Sequence, residues 1–146
     1  MLKNREIRSS IYGVWNSLIT DDAVIINTTP HSIRFSVPGT ENETVELEPS
    51  KGALLNAEVV EEPVFDDLVT TTFKPSSDGW GIIATIEHVC LGDPELRGKN
   101  LRIVGSIIAA QAYPGRCVGL VPCPGYERVA PSEKRMRLDK FNIYIK

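Results

Sequence analysis

The sequence predicts a mainly β fold, a compact single-domain sandwich or barrel with one N-terminal helix. Three observations predict it. Period-two alternation dominates after Ala23. Ten prolines and eleven glycines are spread between short apolar runs. Helical periodicity appears once, near the start of the chain. The organisation expected is therefore residues 1–22 as helix and lead-in and residues 23–146 as the β domain.

The helix is read over residues 3–19, where Ile7, Ile11, Val14 and Leu18 repeat at spacings of four, three and four. Asn4 is a possible cap, and Gly13 is a weak point. Strands are then expected over 24–28 and 32–37, joined by an Asn-Thr-Thr-Pro-His elbow. Residues 44–48 alternate Val45 and Leu47 with Thr and Glu, between the turn residues Pro38-Gly39 and Pro49-Ser50-Lys51-Gly52. Residues 53–60 and 68–73 follow, the latter rich in β-branched Val and Thr. Residues 80–89 read as a strongly apolar strand and 100–104 as another. Residues 105–112 fit either an extension of that strand or a short helix. Residues 118–122 and 137–145 supply the last strands.

At 146 residues the chain is long enough for one real core, and 42% apolar with 24% charged residues is ordinary for a soluble domain. A net charge of −3 argues against a dedicated nucleic-acid binder, which needs a basic footprint. The charge is uneven. Glu41, Glu43, Glu46, Glu48, Glu58, Glu61, Glu62, Asp66 and Asp67 form an acidic third, whereas Lys134, Arg135, Arg137, Lys140 and Lys146 make the C-terminus basic. These are either two solvated faces or complementary subunit contacts. Tyr12 and Trp15, placed on a short helix that a small core would not fully cover, add to the expectation of a homo-oligomer. No apolar stretch is long enough to span a bilayer, and the first residues lack a signal-peptide pattern, so no membrane association and a cytoplasmic location are expected.

Catalytic and cofactor patterns do not stand out. His88 sits in the apolar run 82–91 and reads as a satisfied core or sheet histidine. His88-Val89-Cys90 is not a cysteine-phosphatase loop, because the required arginine position holds Leu96 and Arg97 misses it by one. Cys117 and Cys123 read as core fillers, since two thiols without a nearby His or carboxylate leave a zinc site half-built. No Gly-rich phosphate motif is present, and neither metal nor cofactor is expected.

The chemistry that remains points to an anion. Asn27, Thr29 and His31 offer donors and acceptors at a corner stiffened by Pro30. Lys51 lies on the Pro-Ser-Lys-Gly turn, and Tyr113 and Arg116 on a Tyr-Pro-Gly-Arg loop. An arginine fork suits phosphate or carboxylate, and a tyrosine ring offers a stacking face. Asn27, Thr29, His31, Lys51, Tyr113 and Arg116 are thus the candidate ligand-binding residues.

Asn27-x-Thr29-Pro30-His31-x-Ile33, then Pro49-Ser50-x-Gly52, then Ile103-Val104 followed by Ala109-Ala110, Arg116 and Pro122, resembles a group of small proteins encoded by bacteriophages and prophages. Those share an Asn-Leu-Thr-Pro-His opening, a Pro-Ser-Gly turn, an Ile-Val-Ser strand and an Arg-Asp pair before a proline. The resemblance covers residues 24–124, with Thr28 in place of Leu, Gly105 before Ser106, and Cys117 breaking the Arg-Asp pair. It implies a viral setting rather than a reaction. Three classes of function follow: a non-enzymatic accessory protein that binds a small anionic, nucleotide-like ligand and sequesters an immune signal; a structural virion component; or a small nucleotide hydrolase using His31 as base.

Overall fold

The computed structural model describes residues 2–145, so Lys146 of the basic tail lies outside the described residues. The chain is mainly β; the described residues form eight strands in one mixed sheet, two in a separate hairpin, and two helices. In chain order the strands are β1 (Lys3–Ser9), β2 (Gly13–Ile19), β3 (Ala23–Asn27), β4 (Ile33–Ser36), β5 (Thr44–Leu47), β6 (Ala57–Phe65) and β7 (Leu68–Pro75). Helix α1 (Gly79–Gly92), β8 (Asn100–Val104), α2 (Ile107–Ala112), β9 (Cys117–Pro122), a single 3-10 turn (Pro131–Glu133) and β10 (Met136–Ile143) complete it.

The large sheet runs β1-β2-β3-β8-β9-β10-β4-β5. Strands β3, β8 and β9 are parallel, with Ile26 opposite Ile103 and Val104 opposite Val118. Their apolar residues are buried on both faces, which explains why 24–26 and 103–104 read as unbroken apolar runs. On one face Trp15, Ile19, Val24, Ile26 and Ile103 pack against Ile82, Ile83 and Ile86 of α1 and the alanines of α2. On the other, Leu18, Ile25, Val104 and Val118 pack against Ile33, Phe35 and Leu47. That second core exists because the sheet curls until β5 and its exit turn lie over β1–β3. Asn4 Nδ2 donates to the Glu46 carbonyl at 3.0 Å, and Asn16 Nδ2 to the Pro49 carbonyl at 2.9 Å.

The expected N-terminal helix is not there. Residues 3–19 form an antiparallel hairpin in register from Lys3–Ile19 to Ser9–Gly13. The helical spacing of Ile7, Ile11, Val14 and Leu18 loses to an alternation that buries Trp15, Ser17 and Ile19 on one face and Leu18 on the other. Ile11 is left 75% exposed in the turn. Gly13 decides the matter locally: its φ of +99° is open to glycine and closes the turn, where the Tyr12 N–H donates to Ser9 Oγ at 2.8 Å. Asn4 caps nothing and reaches across to β5. Trp15 is fully buried, so the uncovered-aromatic argument for an oligomer is withdrawn.

The second correction falls on residues 80–89, which are helix rather than strand. Ile82, Ile83, Ile86 and Cys90 fall on one helical face and are buried, while Thr85, Glu87 and His88 turn outward. The high overall apolarity hid that period. His88 is consequently an exposed helix residue, not a core or sheet histidine. Residues 107–112 resolve as helix, capped by Ser106 Oγ, which accepts from the Ala109 N–H at 3.1 Å. The expected strand at 53–60 begins only at Ala57, because 53–56 is loop, with the Ala53 carbonyl accepting from Trp15 Nε1 at 2.9 Å.

Candidate functional site

The elbow after β3 is closed on itself. Asn27 is fully buried, and its amide donates to the carbonyls of His31 (2.8 Å), Leu47 (3.2 Å) and Glu48 (3.1 Å). Its Oδ1 accepts from the Thr29 N–H at 2.9 Å and from Thr29 Oγ1 at 2.7 Å. Thr28 Oγ1 donates to the Val104 carbonyl at 2.7 Å, tying the elbow to β8. Ser50 Oγ donates to the Asn27 carbonyl at 2.6 Å and accepts from the Asn16 N–H at 2.8 Å. The Asn-x-Thr-Pro-His and Pro-Ser motifs are therefore neighbours in space, and their polar atoms clasp β2, β3 and β5 together. His31 and Lys51 stand on the outside of that clasp, both exposed.

Tyr113 and Arg116 stand elsewhere, at the other edge of α1. Tyr113 is fully buried; its hydroxyl donates to the Asn56 carbonyl at 2.8 Å and accepts from the Ser76 N–H at 3.0 Å. Its ring meets Trp80 edge-on at 5.2 Å, so neither ring face nor hydroxyl is spare. Arg116 forks onto Glu87 of α1, with Nε at 3.1 Å from Oε2, and lies over the Trp80 ring at 5.8 Å. No hydrogen bond or ion pair among the described residues joins the elbow to this pair.

A groove of ligand size opens instead at the mouth of the curled sheet, across β8, β9 and β10. It comprises two cavities of 430 and 610 Å³ that share Arg102, Asp139 and Phe141 in their walls. Leu101, Val118, Phe141 and Ile143 give one half an apolar lining, and Arg102, Arg116 and Lys140 supply positive charge to it. The other half is bordered by Asp21, Asp22 and Asn100.

Arg102 is the unusual residue. Leu101 and Ile103 face the core under α1, so Arg102 shares its sheet face with Val104, next to Ile25 on β3. Its guanidinium has no carboxylate within 4 Å among the described residues and makes one hydrogen bond, to the Leu101 carbonyl at 3.1 Å. Ile103 is paired with Cys117, so Arg102 of β8 and Arg116, in the turn that leads into β9, each stand one residue before that pair. The charge of Arg116 is met by Glu87 of α1. Asp139, which shares the groove, is occupied by Arg137 at 2.9 Å through each of its oxygens.

Sequence reasoning named Arg116 but missed Arg102, Lys140 and Phe141. The signal for Arg102 was available as one cation inside the otherwise apolar Leu-Arg-Ile-Val strand. For Lys140 and Phe141 no local signal existed, because the groove is made by strand order. An apolar cavity of 380 Å³ lies behind β8, walled by Val24, Cys90, Leu91, Leu96 and Leu101. Burial pushes the Cys90 thiol up to about 11 and that of Cys117, which fills core beside Gly105, up to about 12. No cluster of three or more potential metal ligands is present among the described residues, and no helix is long and apolar enough to cross a membrane. Compared with known proteins, the chain matches no family model, no curated protein and no solved structure.

Proposed function

We propose that this protein binds a small anionic, nucleotide-like ligand, without transforming it, in the groove across β8, β9 and β10. The observation that carries the reading is Arg102, a guanidinium with most of its five donors unspent beside a second arginine at a cavity mouth. Arg102 and Lys140 would hold a phosphate or carboxylate, with Arg116 exchanging part of its Glu87 contact for the ligand. Phe141, Val118 and Ile143 would lie against an apolar ring. Neither histidine lines the groove, which favours binding over a His31-based hydrolysis. In the viral setting that the sequence resemblance implies, the ligand would be a nucleotide signal of host immunity, sequestered in the host cytoplasm.

The test is thermal-shift and calorimetric titration with nucleotides, cyclic nucleotides and inorganic phosphate, comparing wild type with Arg102→Ala. A bidentate charged contact is worth about 1.5–3 kcal/mol, so the variant should bind roughly 10- to 150-fold more weakly. The ligand should be recovered intact after heat denaturation. If no anion raises the melting temperature, or Arg102→Ala binds as tightly as wild type, the groove is not an anion site.

A further inference from the structure

The β6–β7 hairpin is an arm. Its base is seated on α2 and contributes Ala57 and Phe73 to the core, but all residues from Glu61 to Thr72 are exposed. At about 3.3 Å per residue, the nine-residue β6 spans roughly 30 Å. A two-stranded hairpin standing free is marginal by itself in water. This one carries Val64, Phe65 and Leu68 at its tip, 64%, 70% and 60% exposed, around an Asp66-Asp67 turn in which Asp66 has a φ of +51°. Val59 and Val69 continue the apolar character back along the strands.

Charge indicates what covers it. Glu58 is paired with Lys74 at 3.4 Å, but Glu61, Glu62, Asp66 and Asp67 have no cation within 4 Å among the described residues. The segment between β9 and β10 has a net positive charge, with Arg128, Lys134 and Arg135 against the exposed Glu127 and Glu133. Arg128, Lys134 and Arg135 have no carboxylate within 4 Å among the described residues; Lys134 donates to the Glu127 carbonyl and Arg135 lies over the Tyr126 ring at 5.1 Å. Tyr126 and Val129 there are half-buried and offer an apolar seat for Phe65.

We propose that the arm of one molecule docks on the segment between β9 and β10 of a second copy of this chain. The acidic tip meets Arg128, Lys134 and Arg135, and Phe65 packs against Tyr126. Such a contact joins two different patches, so it propagates head to tail and closes into a ring or extends as a filament. Pairing of two arms through the acidic β6 edge would set Glu58, Glu61 and Glu62 against their own copies and is disfavoured. Pairing through the threonine-rich β7 edge would be isologous, and it is the competing arrangement.

Light scattering coupled to size exclusion, on the full chain at tens of micromolar, tests this. Wild type should run larger than a monomer. Glu62→Lys/Asp67→Lys and Lys134→Glu/Arg135→Glu should each be monomeric, with melting temperatures that show an intact fold. All four substitutions in one chain should restore the assembly, because the charges are exchanged rather than lost. A monomeric wild type, assembly unaffected by Lys134→Glu/Arg135→Glu as β7 pairing would give, or a quadruple variant that stays monomeric would each overturn it.

Discussion

Removing the Asn27 side chain should unfold the elbow rather than empty a binding site. In Asn27→Ala the carbonyls of His31, Leu47 and Glu48 lose their shared donor, and the Thr29 N–H loses its acceptor. The His31 and Glu48 carbonyls border exposed residues and can recruit water. The Leu47 carbonyl and the Thr29 N–H are in buried bonds and cannot. At about 1–3 kcal/mol for each buried orphan, the loss should be about 3–5 kcal/mol, a large share of the roughly 5–15 kcal/mol that holds a domain together. Asn27→Asp is the sharper probe. It keeps the shape but turns a carboxylate oxygen toward three carbonyls, so burial and repulsion raise the folded-state pKa above the unfolded value of about 3.9. A raised pKa means that the penalty is absent below about pH 4 and grows as pH rises toward the folded value. Urea unfolding followed by fluorescence of the buried Trp15, at pH 4 and pH 7, measures both. A loss below about 1 kcal/mol in Asn27→Ala would refute the clasp, and so would an Asn27→Asp variant equally stable relative to wild type at the two pH values.

Gly79→Ala should cost about 3 kcal/mol, read as a lower urea midpoint, because a Cβ there would lie 1.6 Å from the Tyr113 hydroxyl and push it off Asn56 and Ser76. The Asp93 carboxyl is held below its ordinary range by the hydrogen bonds from Arg5, so the stability it contributes is present above about pH 4 and lost as pH falls through its folded pKa. An acid titration should thus show wild type losing more stability than Arg5→Met/Asp93→Leu below about pH 4, each compared with its own pH 7 value, and no difference above that pH. Burial keeps Cys90 and Cys117 protonated to about pH 11 and 12, so in the folded state a thiol reagent at pH 8 should label Cys123 alone, and the other two only on unfolding. Because both buried thiols have raised pKa values, stability should also decline as pH rises beyond about 8.5, where the unfolded thiols ionise.

The fold class was legible because period-two alternation and turn residues are local signals, and residues 100–104 were placed as the strand they form. The two misread segments have different causes. Residues 3–19 show an incidental helical spacing of Ile7, Ile11, Val14 and Leu18, although the sheet buries side chains on both of its faces and so blurs any single period. Residues 80–89 show too many apolar residues for their helical period to stand out, although Ile82, Ile83, Ile86 and Cys90 carry it. The candidate site residues raise a different question. Asn27 stands out in the sequence, but sequence cannot show whether a side chain's hydrogen bonds are met by the protein's own backbone, and here they are.

That distinction separates a polar residue built for the fold from one available to a ligand. The two amide N–H donors of Asn27 are shared among three carbonyls and its oxygen accepts two bonds, so any ligand there would have to break an existing bond for each one it made. Tyr113 is in the same position, with its hydroxyl bonded to Asn56 and Ser76. Arg102 is in the opposite one. It spends one bond on the Leu101 carbonyl, has no carboxylate in reach among the described residues, and lines the same cavity as Arg116. An anion arriving there would meet a guanidinium with donors to spare, whereas at the elbow it would meet none. Binding energy is a difference between bound and free states, so unspent hydrogen-bond capacity, not the density of polar residues in the sequence, marks the groove as the place to look.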